Sequence, residues 1–178
     1  AKGTPVVQLL PIPREEAITS LLAVSEFNDD TDLLMLTQGG FIKRTRLSAF
    51  SNIRSNGLIA IGLEDGDALT WVRLSIPGDS VLIGSKAGMT IHFRLADGEL
   101  RPLGRTARGV RSMNLRKDDS LVSMDVLPAE LADQIAASAD DAGDGDDAGD
   151  VAETAVAAEG PWVLVASASG LGKRVPVT

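Results

Sequence analysis

The sequence predicts an all-β fold, built as an array of propeller-like blades with four strands each. The first observation is a hairpin pattern that occurs three times, in which an apolar run, a Gly-containing turn and a second run follow each other. The second is a repeated segment that begins with glycine and leads through an acidic turn into another β-like run. The third is the spacing, because Gly40 and Gly88 of the first two hairpins are 48 residues apart. Four short strands in roughly 50 residues are typical of a propeller blade.

The hairpin pattern covers residues 33–45, 81–93 and 163–175. Its turns end in Gly40, Gly88 and Gly170, as expected because tight hairpins require positive φ angles. Each turn is followed three positions later by a basic or basic-like pair. These pairs are Lys43-Arg44, Ile91-His92 and Lys173-Arg174.

The glycine-led segment covers residues 3–9, 57–63 and 109–115, and the runs that follow are 18–24, 69–74 and 121–126. A β-sandwich also has short strands at regular spacing, but here motif order and turn chemistry recur together, which favours true repeats. The predicted organisation is the second half of a blade (1–27), a blade (28–75), a blade (76–127), an acidic insert (128–160) and the first half of a further blade (161–178).

The insert has the composition of a mobile loop. Ten of the 25 acidic residues lie in 128–160, which contains no Lys or Arg, so the remainder has 15 acidic and 17 basic residues. A short helix around Leu131 and Ile135 is predicted, and after it the Asp, Ala and Gly run is too polar to form a core. It lacks the ligand pattern of a calcium loop. We expect an inert loop; the alternative is a tethered polyanion that competes for basic residues.

Several function classes are disfavoured by what the chain lacks. There is no cysteine, no tyrosine and a single histidine, His92, which occupies a basic position of the repeat. No phosphate-binding GxxxxGK[ST] loop is present, and no nucleophile and base converge, so a free-standing enzyme is disfavoured. No apolar run reaches the length of a membrane helix, and Ala1–Thr4 do not open a signal peptide. We therefore expect an intracellular protein without membrane contact, metal or cofactor of its own.

The basic residues recur at matching places of successive units, which predicts a cationic perimeter. Such a perimeter suits a partner with recurring negative charge, namely nucleic acid, although surface strands also carry Lys and Arg to block their edges. The candidate DNA-binding residues are Lys43, Arg44, Arg46, Arg54, Arg94, Arg101, Arg105, Arg108, Arg111, Lys173 and Arg174.

In these segments the chain resembles the C-terminal domain of the DNA gyrase A protein. The resemblance covers nearly all of 1–127 and 161–178, and is carried by GTPVVQLLPIPREEAITSLLAV (3–24), LTQGGFIKRTRLSAFSNIRSNGLIAIGLEDGD (36–67), LRPLGRTARGVRSMNL (100–115) and GLGKRV (170–175). It implies a β-pinwheel whose four-stranded blades exchange strands, here a partial set with a disordered acidic insert. It also implies a basic perimeter that bends or wraps double-stranded DNA without reading sequence and supports ATP-dependent negative supercoiling.

The resemblance further implies that the eleven candidate residues are perimeter contacts and that His92, where an Arg is usual, weakens its blade. The implied partners are double-stranded DNA, the rest of gyrase A, and gyrase B in an A2B2 holoenzyme, located in the bacterial cytoplasm at the nucleoid. ATP and Mg belong to other parts of that enzyme, and cleavage uses a tyrosine that this chain lacks. The gyrase box, a Q-R-R-G-G-K-G-like loop, is not in the chain. The corresponding domain of topoisomerase IV and a protein-interaction scaffold with the same fold therefore stay open as alternatives.

Overall fold

The structure is a computed structural model that describes residues 16–52, 57–96, 98–131 and 162–176, together with Gly3, Pro5, Pro13 and Asp133. It contains two compact units, residues 1–126 and 127–178, which are described separately. The first unit holds strands β1 (Asp32–Thr37), β2 (Phe41–Arg46), β3 (Leu69–Ser75), β4 (Ser80–Ser85), β5 (Thr90–Arg94), β6 (Val110–Arg111) and most of β7 (Leu121–Leu127). A 3-10 turn covers Leu47–Phe50. The second unit holds β8 (Trp162–Ala166) and β9 (Gly172–Pro176), and residues 129–131 form a helical turn.

The first sheet is a complete four-stranded blade with the order β3-β1-β2-β6. Its strands are antiparallel, with Leu34 opposite Arg44 and Ile42 opposite Val110. The outer strand β6 follows β4 and β5 in the chain, so the first sheet borrows its fourth strand from the next repeat. This is the strand exchange that the family resemblance implies.

The second sheet has the order β5-β4-β7 in the described residues. Leu82 lies opposite His92, as Leu34 lies opposite Arg44 one repeat earlier. In the second unit β8 and β9 form a third hairpin of the same kind, with Leu164 opposite Arg174. The three hairpins predicted at 33–45, 81–93 and 163–175 are thus confirmed.

The cores lie on both faces of the first sheet, because successive residues of a strand point to opposite faces. Leu34, Leu36 and Ile42 pack against residues of the second sheet, among them Ile83 and Met124. On the opposite face Met35, Ile61 and Val72 form a smaller cluster. A strand with apolar clusters on both sides has no solvent-facing row of side chains, and this decides the environment of the basic residues in β2.

The all-β prediction is confirmed, and the runs predicted at 69–74 and 121–126 are strands β3 and β7. Two predicted runs, 57–63 and 18–24, are not strands in their described residues. The strand β6 pairs with the hairpin of the preceding repeat, and by the same rule 57–63 would pair with a hairpin before residue 28. The described residues before 28 contain no strand. The run 57–63 lies instead beside 100–112, with Gly62 N donating to the Ala107 carbonyl (3.1 Å).

Several predictions fall on parts of the chain outside the described residues: most of 3–9, Ile135 of the predicted helix, and the acidic run itself. The segment limits 1–27, 28–75, 76–127, 128–160 and 161–178 stay predictions. Within the ranges described above, no helix has the length and apolar character needed to cross a membrane.

Candidate nucleic-acid interface

Lys43 is buried, which corrects its assignment to the perimeter. Its side chain has no solvent exposure, and Nζ donates hydrogen bonds to the carbonyl oxygens of Ala60 (2.6 Å), Gly104 (3.1 Å) and Arg105 (2.5 Å). Burial lowers the pKa of Lys43 from 10.5 to about 8, and the nearby Arg105 guanidinium adds to that decrease. An ammonium group enclosed in this way cannot contact a phosphate.

Arg44 is buried on the opposite face of β2, so its perimeter assignment is also wrong. Its guanidinium donates to the Leu95 carbonyl (2.7 Å), and Nε lies 3.2 Å from Oδ2 of Asp32, whose side chain is equally buried. Arg46 shares the same carboxylate at 3.4 Å and is about one-third exposed (35%). It also donates to the Asp29 carbonyl (3.0 Å), so Arg46 is held at the sheet edge and only part of it is accessible.

The same cross-strand pair recurs in all three hairpins with different chemistry. The positions of Asp32 and Arg44 correspond to Ser80 and His92 in the second hairpin, where His92 Nε2 lies 2.8 Å from Ser80 Oγ. In the third they correspond to Trp162 and Arg174, whose guanidinium lies 4.5 Å from the ring centre. This position makes a contact across the hairpin in each of the three. His92 and Arg174 are nevertheless exposed there, so the expected weakening of a DNA contact by His92 stays a prediction.

The strongest candidate interface is the arginine segment, defined here as residues 100–112, which runs antiparallel alongside β2. Main-chain hydrogen bonds hold it there: Leu103 N donates to the Arg44 carbonyl (2.7 Å) and Ser112 N to the Gly40 carbonyl (2.8 Å). Gly109 has φ +99°, and a Cβ at this position would lie 2.3 Å from the Ile42 carbonyl oxygen. The segment approaches β2 this closely because residue 109 has no side chain.

The arginine segment exposes several of its guanidinium groups. Arg101 and Arg111 are exposed, Arg108 is about half exposed (47%), and Arg105 is partly buried. Arg108 and Arg111 lie over the same aromatic ring, with their guanidinium carbons 4.4 and 4.7 Å from the centre of Phe41. Arg108 is also paired with Glu64.

The ring contact restricts two flexible side chains, while each guanidinium keeps N–H donors that no ring contact uses. Phe41 and Glu64 were not identified from the sequence as parts of the site. The signal that could have found Phe41 is its repeat position, where the apolar residues Met89 and Leu171 stand in the other hairpins.

The remaining predicted residues are scattered. Arg94 is partly buried at the end of β5, opposite Ser80, and Arg54 lies outside the described residues. Lys173 and Arg174 are exposed on β9 of the second unit. Sequence reasoning also missed Arg116 and Lys117, exposed in the turn before β7. They stand where the preceding repeat has Glu64 and Asp65, so these two turn positions carry opposite charge in the two repeats.

The part of the chain that the structure describes contains no cluster of three His, Cys, Asp or Glu side chains that could hold a metal ion. The polar groups of the site are the guanidinium groups of the arginine segment, which hydrogen bonds hold on β2. Guanidinium groups bind anions such as phosphate.

The family model described as "DNA gyrase C-terminal domain, beta-propeller" matches residues 31–75, 79–128 and 161–178. The chain belongs to this family. The DNA gyrase A protein of Synechocystis is 55% identical over 99% of this chain and 21% of the relative. The chloroplastic/mitochondrial DNA gyrase A protein of Arabidopsis thaliana is 41% identical over 100% of this chain and 18% of the relative. This gyrase C-terminal domain chain thus spans about a fifth of the length of these curated relatives.

Two solved structures have the same fold. A DNA gyrase A C-terminal domain superposes with a TM-score of 0.69 at 24% identity, over 98% of this chain and 47% of the other. The C-terminal domain of DNA topoisomerase IV gives a TM-score of 0.64 at 26% identity, over 72% of this chain and 40% of the other. The β-pinwheel prediction is confirmed by this likeness and by the family membership.

Proposed function

We propose that this chain binds double-stranded DNA through phosphate contacts and bends or wraps it without reading its sequence. The observation that supports this most directly is the arginine segment, where Arg101, Arg108 and Arg111 expose guanidinium groups on a backbone fixed against β2. Arginine binds phosphate through paired N–H donors, and such contacts position DNA but do not select bases.

The physical requirements of bending agree with such a site. Bending a 20–30 base-pair duplex by 40–90° costs on the order of 1–6 kcal/mol. Phosphate contacts that release counterions offset this cost and make binding fall steeply with salt. The proposed interface is smaller than the eleven-residue perimeter, because Lys43 and Arg44 are buried within the blade.

We also propose that the chain acts as the C-terminal part of gyrase A, with the remainder of that protein and gyrase B as partners in an A2B2 enzyme. The support is family membership and 55% identity to a gyrase A protein over 99% of the chain. In that role it would support negative supercoiling in the cytoplasm, at the nucleoid, while ATP and Mg are bound elsewhere in the enzyme.

The binding experiment is fluorescence anisotropy with two unrelated duplexes of about 30 base pairs, titrated from about 50 to 200 mM salt. We expect equal affinities for the two sequences and a log–log salt slope of several units. A flat slope, or a strong preference for one sequence, would contradict the phosphate-contact proposal.

Bending or wrapping is tested separately by sealing nicked plasmid in the presence of the chain and counting topoisomers after the protein is removed. A shift in linking number of one sign supports wrapping, and an unchanged distribution with intact binding rejects it. The protein-scaffold alternative predicts no binding in the first experiment. The topoisomerase IV alternative predicts that a full-length enzyme bearing this chain relaxes DNA but does not supercoil it.

A further inference from the structure

The buried position of Lys43 raises the question of what its ammonium group does. Two of its three acceptors, the carbonyls of Gly104 and Arg105, belong to the arginine segment, and the third, of Ala60, belongs to the segment 57–61. The lysine therefore connects β2 with two stretches of chain that form no strand where they contact it.

Backbone hydrogen bonds, and the ring contacts of Arg108 and Arg111 with Phe41, also hold the arginine segment on β2. Leu103 N bonds to Arg44 O, Ser112 N bonds to Gly40 O, and Gly109 lies against Ile42. These contacts fix residue 103 and residues 109–112. Between them the chain around Arg105 is held by Lys43 and by the hydrogen bond of Gly62 to Ala107.

We propose that Lys43 is a positioning residue for DNA binding, whose enclosed ammonium fixes the backbone that presents Arg105, Arg108 and Arg111 to the phosphates. The assignment rests on the proposed function for its DNA part. The other repeats support a role specific to the first blade, because Ile91 occupies this position in the second repeat and offers no donor, and Lys173, its counterpart in the third, is exposed.

A positioning role and a direct contact predict different salt dependence. Loss of one phosphate contact lowers the log–log salt slope by about 0.9. Loss of the lysine that positions several arginines lowers the slope by about twice that or more, although the charge change is the same. The exposed lysine Lys86 provides the matched comparison, since Lys86→Met removes the same charge from a turn that holds no part of the arginine segment.

The absence of cysteine in the chain permits a chemical rescue. Lys43→Cys is alkylated while unfolded, either with 2-bromoethylamine, which restores a lysine-like ammonium, or with iodoethane, which adds a neutral group of similar shape. After refolding, hydrogen exchange of amides 103–112 is measured without DNA, and duplex affinity and salt slope are measured by anisotropy.

We expect the aminoethylated protein to protect amides 103–112 as the wild type does. The ethylated protein and Lys43→Met should exchange at these amides at least about tenfold faster and bind DNA about tenfold more weakly, as for the loss of one charge-assisted hydrogen bond. Lys86→Met should change the salt slope by at most one contact. Equal exchange in the two alkylated proteins overturns the positioning role, whether or not DNA binds. Absence of DNA binding by the wild type overturns the proposed function, while the exchange data still decide whether Lys43 fixes the segment.

Discussion

Arg44 and Asp32 form an ion pair between neighbouring strands in which neither side chain reaches solvent, with Nε 3.2 Å from Oδ2. Arg46 approaches the same carboxylate from the sheet edge. The buried carboxylate of Asp32 thus pairs with two cations, Arg44 and Arg46. We infer that these residues stabilise the blade.

Asp32→Asn should destabilise the first blade, because it leaves the buried Arg44 charge without its counterion. Removing one partner of a buried pair costs about 3–5 kcal/mol. Urea unfolding followed by circular dichroism measures the change. Asp125→Asn removes an exposed carboxylate and serves as the control, with a change within about 0.5 kcal/mol. Equal stabilities of the two variants would contradict the burial of the pair.

Lys43 predicts a pH dependence of stability on the alkaline side. Burial lowers its pKa to about 8 in the folded chain, against 10.5 when exposed. Between these values the unfolded chain binds a proton that the native chain has released, so the free energy of unfolding rises with pH in this window. We expect a rise on the order of 1–3 kcal/mol in urea titrations from about pH 7.5 to 10.5. The rise should be absent in Lys43→Met, and a rise of equal size in that variant would assign it to another group.

Arg111→Gln should weaken DNA binding without unfolding the chain, since Arg111 is exposed and its ring contact with Phe41 is shared with Arg108. One phosphate contact fewer lowers the log–log salt slope by about 0.9. The loss should be the same on two unrelated duplexes in the anisotropy assay. A loss confined to one sequence would mean that Arg111 contacts bases. Arg44→Gln, by contrast, should lower the free energy of unfolding.

Asp119 predicts a loss of stability in acid. Its carboxylate accepts hydrogen bonds from Ser85 Oγ (2.7 Å) and from the backbone N–H groups of Ala87 and Ser120 (both 2.9 Å). The Ser85 bond is the main cause that holds its pKa below the ordinary 3.8. Stability from this group is present above 3.8 and is lost as pH falls through the lower native pKa. Asp119→Asn should be less stable at neutral pH and lose less on acidification in urea titrations; an unchanged acid response would refute this role.

Gly109→Ala should displace the arginine segment, because residue 109 has φ +99° and its added Cβ would collide with the Ile42 carbonyl. A strained residue of this kind costs about 1–3 kcal/mol. Gly104→Ala, in the same segment, adds a Cβ that meets no atom within 4 Å. We expect faster exchange of amides 103–112 and weaker DNA binding in the first variant and near wild-type behaviour in the second. Equal effects would contradict the close approach.

The sequence predicted the strands better than their surroundings. The hairpins were found because apolar runs and turn glycines are local signals. Burial of Lys43 and Arg44 could not be read from the pattern Phe41–Arg46, since what covers this strand comes from residues 57–61, 95 and 103–112. The exchange of β6 is likewise a long-range pairing with a two-residue signature. Residues 57–63 have the same pattern as 109–115 and still form no strand. A strand needs a neighbouring strand to pair with, and the described residues before 28 provide none.

The borrowed strand has a mechanical consequence. The strand β6 joins the first sheet only after the chain has passed through β4 and β5 of the second. Unfolding of either sheet should therefore disrupt the other. The two should melt in one calorimetric step, and a single backbone nick between residues 95 and 109 should loosen both. A force that bent DNA exerts on the arginine segment would accordingly be transmitted through β6 to both sheets.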